Sequence, residues 1–413
     1  MFLGSSLVLA RKLALTMTKK KIEFLAVSLL SLASVSLLLL RADLFTIDRF
    51  EGNIKADHIY YVQLALGGPQ SCHEAPYCWR VLQPMLVSLL PLDVQTGFLL
   101  MTILSLCLTG VALYYLLRAY GLPTSFSLLG LALFYSLGWA TGFLLFYFWL
   151  GDGLMFLLII LAIYFTRAGK YWCVMALVAL GMAGKELMLA VVPLYYTLNV
   201  RSFSLRGLLD VRLAARTALL MLPALSVLWL VRGIIPITNH YDILEWFAHF
   251  SSARSEGRVS VPLIIAPGLQ DSLIGAFVFG NVATFGLMLV LPFLAPKRNV
   301  EHLLRYSPFI ILVNAQILVA EGTERLLVYA FPFVLLTSIV GLKSLSDRLA
   351  ISAWHLLPLA LGWASLTLFG RGWMWVFLSW QGAILATYLL LLLVYLALRA
   401  HIIGKRRSLP APA

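Results

Sequence analysis

The sequence predicts an all-α polytopic membrane protein with about twelve transmembrane helices and both termini in the cytoplasm. Three observations predict it. Hydrophobic residues make up 61% of the 413-residue chain and charged residues only 12%, where a soluble domain carries roughly 25% charged residues. Apolar runs recur along the whole length on the scale of a ~30 Å hydrocarbon core, without the alternation of a transmembrane barrel. The basic residues collect in every second connection, which is the mark of orientation in a bilayer.

Taken in order, the chain opens on a basic stretch ending in Lys19-Lys20-Lys21, followed by an apolar run at 22–40. That run is long for a signal-peptide core and lacks a small-residue cleavage site, so it reads as a retained first helix. Further apolar segments fall at 96–117, 125–149, 153–166, 171–183, 187–199, 216–232, 273–295, 306–320, 326–342, 350–369 and 373–398. The even total puts both ends on one side. With the N-terminus inside, 21 of the 31 Lys and Arg residues lie in cytoplasmic connections, and 14 of the 18 acids lie on the outer side. Segments 153–166, 171–183 and 187–199 are short for a bilayer. They read as short helices in a thinned region or as half-helices meeting at a polar break.

Residues 1–413 form a single integral membrane domain, with no repeat and no linker to a soluble unit. Residues 41–95 are the first extracytoplasmic loop, and 233–272 are a second outer loop carrying His240, Asp242, Glu245, His249 and Arg254. Residues 200–216, with Leu205, Leu208, Leu209 and Leu213, read as a basic amphipathic helix on the cytoplasmic surface. The net charge of +13 follows the topology, which makes the bilayer the partner and excludes nucleic acid. The compact loops point to a plasma (inner) membrane with the polar turns facing outside.

Those outer turns hold the residues able to do chemistry. Ionisable groups within hydrocarbon cost several kcal/mol and mark sites, whereas at a solvated turn they cost little. Asp57 is the candidate general base, since a carboxylate within hydrogen-bond reach can deprotonate an attacking hydroxyl. Beside it, Tyr60 and Tyr61 offer a sugar- or lipid-facing platform, and His58 is a further candidate substrate-binding residue. Glu74, Arg80, Asp152, Lys185, Glu186, Glu324 and Arg325 are candidate substrate-binding residues. Arg80 and Arg325 are suited to phosphate, which a guanidinium meets as a planar fork; the competing reading is pairing with Glu74 and Glu321. The histidines show no tight ligand spacing, so no metal site is assigned, although a divalent metal stays open as a cofactor. On an oxidising side Cys72 and Cys78 can close a small disulfide loop, a pairing the sequence leaves open. No phosphate-binding glycine loop, nucleophile elbow or dinucleotide fingerprint occurs.

Four stretches together resemble a known family. They are Ala56-Asp57-His58-Ile59-Tyr60-Tyr61, Pro76-Tyr77-Cys78-Trp79-Arg80-Val81-Leu82-Gln83-Pro84, Gly184-Lys185-Glu186, and Glu321-Gly322-Thr323-Glu324-Arg325 before Tyr329-Ala330-Phe331-Pro332. A first helix, a large outer loop with an early Asp, and an aromatic-Arg-Val-Leu-x-Pro segment resemble the polytopic glycosyltransferases of the GT-C superfamily. The resemblance spans residues 22–342. It implies an enzyme that transfers a sugar, with inversion, from a polyprenyl-phosphate donor to a glycan, lipid or protein acceptor outside the cytoplasm. It also implies Asp57 as the base, and Arg80, Lys185 or Arg325 as the holders of the lipid phosphate. One departure is that many members carry paired acids in the first loop, where this chain has Asp57 followed by His58. Two other classes remain in view: a transporter or flippase of a lipid-linked or anionic substrate, and a non-catalytic membrane assembly subunit.

Overall fold

The computed structural model describes residues 3–46, 57–204, 207, 209–235, 237, 273–318 and 323–357. These residues are mostly helical, and there is no strand among them. In chain order the helices are α1 (Leu3–Leu39), α2 (His58–Gly67), α3 (Leu82–Ser88), α4 (Val94–Ala119), α5 (Thr124–Tyr135), α6 (Gly142–Phe146) and α7 (Asp152–Arg167). They continue with α8 (Tyr171–Met182), α9 (Val191–Asn199), α10 (Val211–Ile234), α11 (Leu273–Phe285), α12 (Pro296–Ala315), α13 (Thr323–Leu327) and α14 (Phe331–Leu349).

Among the described residues, four helical runs are long and apolar enough to cross a membrane: Lys19–Leu39 of α1, all of α4, all of α10, and Glu324–Leu349, which joins α13 to α14. They coincide with the expected segments at 22–40, 96–117, 216–232 and 326–342. The chain is therefore an all-α protein with the helices of a membrane protein.

Several of the other expected segments are broken or short among the described residues. The run 125–149 divides into α5, a series of turns through 136–141 and the five-residue α6. Helix α7, with 16 residues, rises about 24 Å, and α8, with 12, about 18 Å. The run 187–199 begins as a 3₁₀ turn at Glu186–Ala190 before α9, and 273–295 ends in 3₁₀ turns at Gly286–Leu289 and Leu291–Leu294. The expected surface helix at 200–216 differs as well. Residues 201–204 are bends, and Val211 to Arg216 are the first turns of α10. The second outer loop from 238 to 272, Glu321, and the segments beyond 357 lie outside the described residues.

Helix starts follow ordinary capping chemistry. Asp93 Oδ1 accepts the Thr96 amide at 2.9 Å to open α4, and Asp210 Oδ1 accepts the Leu213 amide at 3.1 Å to open α10. At the other end of α9, Arg305 Nη1 donates to the carbonyls of Thr197, Leu198 and Val200 at 3.1–3.2 Å, satisfying acceptors that a helix terminus leaves open. Buried aromatic residues fill the centre. Phe156 meets Tyr329 edge-on at 4.8 Å and Phe331 at 5.2 Å, and Phe331 also meets Phe134 at 5.2 Å. The run Glu324–Leu349 is mostly buried and is the central span. Helix α10 is the opposite case: it buries Leu220 and Ala224 while Leu219, Leu222, Trp229 and Leu230 stay exposed, an apolar surface that suits acyl chains.

The described residues of the first loop, 41–46 and 57–93, are folded rather than open. The Phe45 amide donates to Phe146 O at 2.9 Å, Trp149 Nε1 donates to Phe45 O at 2.7 Å, and the Leu82 amide donates to Ala183 O at 2.9 Å. Cys72 and Cys78 are joined as a disulfide. These ties hold α2 and α3 over one end of the bundle, and that end carries the site.

Candidate functional site

The site begins with a break in the helical run of α8 and α9. Helix α8 stops at Met182, Ala183 and Gly184 turn, and Lys185 takes an extended backbone before the 3₁₀ turn. The break turns the Lys185 side chain to Asp152, the first residue of α7. Lys185 Nζ lies 2.7 Å from Asp152 Oδ1, and the two side chains are 6% and 3% exposed. A charge this deep persists only when paired and hydrogen-bonded, and Asp152 is paired more than once. Arg325 Nε donates to its Oδ2 at 2.8 Å, and the Tyr329 hydroxyl donates to Oδ1. Tyr329 also lies 3.3 Å from Lys185 Nζ. Arg325 and Tyr329 are four residues apart on the central span, which sets them on one helical face.

Arg325 extends the cluster outward. Its Nη1 reaches Asp57 Oδ2 at 3.2 Å, with the Asp57 side chain 24% exposed. Asp57 stands immediately before α2, and its carboxylate makes no capping bond to that helix. Arg80, held by the short segment between the disulfide and α3, approaches Glu186 at 3.8 Å and shares the wall of one cavity with Tyr61. Three cations and three carboxylates thus meet at one end of the bundle, drawn from residues 57–80, α7, the α8–α9 break and the central span.

A cavity lies between them, lined by Tyr61, Arg80, Gln83, Trp149, Asp152, Lys185 and Arg325 among others. Its free volume of about 10 Å³ is close to what one water molecule needs. A sugar or phosphate enters only if side chains or helices move apart.

Other candidates from the sequence fall around this cluster or away from it. Tyr60 stacks flat on Tyr77, with centroids 5.2 Å apart and planes 7° apart, next to Asp57. His58 turns inward instead. It is fully buried, its Nδ1 is 2.6 Å from the Tyr147 hydroxyl, and Phe45 and Trp149 pack around it. That burial lowers its pKa to about 4, against the opposing pull of Asp57. Glu74 sits in the disulfide turn, where its amide donates to Cys78 Sγ at 3.0 Å. Glu324 is buried but does not line the cavity, and its carbonyl accepts from Thr284 Oγ1 at 3.4 Å. Among the described residues, no three His, Cys, Asp or Glu side chains are grouped as a metal ion requires. No protein family, no curated protein and no solved structure matches this chain.

Two residues of the site escape a reading by residue type. Tyr329, which bonds Asp152, has the four-residue step from Arg325 as its only sequence signal. Gln83, which lines the cavity, stands in the sequence as an uncharged residue between Leu82 and Pro84. It is 3% exposed, and a buried amide in a membrane protein is a polar group that needs partners.

Proposed function

We propose that this chain is a membrane glycosyltransferase that moves a sugar from a polyprenyl-phosphate donor to an acceptor on the extracytoplasmic side. The observation that supports it is the Asp57–Arg325–Asp152 chain of ion pairs, with Lys185 and Arg80 at the same cavity. A buried charge cluster assembled from distant segments is costly in a membrane protein, and function is the usual reason for keeping one. In the proposed reaction an acceptor hydroxyl approaches Asp57 at the rim. Its oxygen attacks the anomeric carbon from the side opposite the phosphate, the carbon–oxygen bond to phosphate breaks, and the configuration inverts. The hydroxyl proton passes to Asp57, and the bond electrons leave with the phosphate, whose charge the neighbouring cations stabilise. The exposed apolar faces of the spans offer the lipid tail a place beside the site.

The experiment is sugar transfer by purified protein from a panel of polyprenyl-phosphate sugars, with Asp57→Asn as the paired variant. General-base catalysis contributes about 10²–10⁴-fold, so turnover should fall at least about a hundredfold while donor binding holds. Equal turnover in both proteins would reject Asp57 and point to Glu186 or Asp152.

A second reading has one observation of its own. The break between α8 and α9, with Lys185 in it, has the form of a discontinuous helix at a transport site. A transporter or flippase of a lipid-linked anion would move the same lipid across proteoliposomes without cleaving it. Flux with no sugar release would select that reading.

A further inference from the structure

The cations at the cavity are not equivalent. Lys185 and Arg325 each lie within 2.8 Å of Asp152, and Arg325 also reaches Asp57, so two carboxylates already balance these two cations. Arg80 has no such partner among the described residues, its closest carboxylate oxygen there being Glu186 Oε2 at 3.8 Å. Its Nε is buried and has no hydrogen-bond acceptor among the described residues, and the same holds for Nε2 of Gln83. Both side chains line the cavity, and both are held by the same short stretch, whose Leu82 amide is anchored to Ala183. Two buried donors without acceptors form a costly arrangement unless an oxygen from outside the chain meets them, either a ligand's or that of the one water the cavity can hold.

We propose that Arg80 and Gln83 together seat a phosphate-ester oxygen, with Gln83 a direct ligand-binding residue, while Lys185 and Arg325 are held back by Asp152. The inference rests on the transferase reading only for the source of that phosphate, the lipid donor. The chemistry fits an acceptor-only oxyanion: Arg80 supplies charge and a directed N–H, and Gln83 adds a neutral N–H fixed by its burial. Gln83 favours a phosphate over a carrier alcohol because a hydrogen bond to an oxyanion is charge-assisted and about twice as strong as one to a neutral hydroxyl.

The test is binding to the purified full-length protein, with polyprenyl monophosphate, the matching polyprenol and inorganic phosphate as probes. The proteins are wild type, Gln83→Leu and Gln83→Glu. A hydrogen bond to a charged group corresponds to roughly a tenfold change in affinity or more. Gln83→Leu should weaken polyprenyl monophosphate about tenfold, and Gln83→Glu should weaken it further by setting like charges together. Polyprenol binding should be the same in all three proteins, which also reports that the variants are folded. Because Gln83→Leu removes a buried donor without an acceptor, its thermal midpoint should match or exceed that of wild type. A parallel loss for inorganic phosphate identifies the phosphate alone as the ligand, whereas a loss for the lipid only shows that the tail is needed to reach the seat. Wild-type affinity for the lipid phosphate in Gln83→Leu overturns the proposal, and so does a wild type that binds neither phosphate probe. Sugar transfer is scored separately. Gln83-sensitive phosphate binding without transfer keeps the seat and removes the transferase, and transfer indifferent to Gln83 does the reverse.

Discussion

At the scale of residues, Asp152 is the hub of the cluster, since Lys185, Arg325 and Tyr329 all direct polar groups at its two oxygens. Removing one member of a buried ion pair costs about 3–5 kcal/mol, because the remaining charge stays in dry surroundings. Asp152→Asn leaves Lys185 without its carboxylate and should destabilise the protein by that amount in detergent unfolding experiments. Lys185→Met should cost clearly less, as Asp152 keeps Arg325 and Tyr329. Equal losses in the two variants would mean that Asp152 is not the hub. Most of the cluster was legible in the sequence, because Asp152, Lys185 and Arg325 are ionisable residues at the edges of apolar runs, where charge is expensive. His58, adjacent to Asp57 in sequence, is a substrate-binding candidate by that position alone. Successive residues on a helix turn by about 100°, so Asp57 can meet Arg325 while His58 faces the aromatic core. Tyr329 and Gln83 were not legible as site residues. Uncharged polar side chains are ordinary at helix ends, and only the fold sets these two beside the cluster.

At the scale of elements, hydropathy locates the spans but not their interruptions. A run without polar side chains, such as residues 285–295, can pass into 3₁₀ turns at Gly286–Leu289 and Leu291–Leu294 with nothing polar to mark the change. Some constraints on these breaks are carried by single residues. Helix α14 packs against the 3₁₀ turn Leu291–Leu294, and Asn299 ties the two by donating to Pro292 O at 2.7 Å and Thr337 O at 3.1 Å. At the closest approach stands Gly341, where an added Cβ would lie 2.0 Å from the carbonyl oxygen of Leu291. Backbone cannot yield there as a flexible side chain would. Gly341→Ala should therefore force α14 away from the turn and cost about 1–3 kcal/mol, the usual range for overpacking. The control is Gly142→Ala, where nothing lies within 4 Å of the added carbon. A melting temperature equally unchanged in both variants would show that the turn moves without cost and that this contact does not fix the central span.

At the scale of the molecule, the proposed reaction depends on which membrane face the cluster occupies. Asp152 opens α7 and Arg167 closes it, so the helix separates them by about 24 Å along its axis. Arg167 and Lys170 belong to the connections counted as cytoplasmic, and their excess of Lys and Arg is the sequence basis for the orientation. The disulfide between Cys72 and Cys78 beside the site agrees with an oxidising compartment. Labelling of one introduced cysteine decides the matter. In a background that keeps the Cys72–Cys78 disulfide and has Cys107 and Cys173 replaced by Ser, Gln70→Cys reports an exposed turn beside that disulfide, and Lys170→Cys reports the far end of α7. A membrane-impermeant maleimide applied to intact cells should label Gln70→Cys, while Lys170→Cys should react only after the membrane is permeabilised. The reverse pattern would put Asp57, Arg80 and the cavity in the cytoplasm. Such a result would reject transfer on the outer face, because donor and acceptor would then have to meet where nucleotide sugars are already at hand and a lipid-linked donor has no advantage.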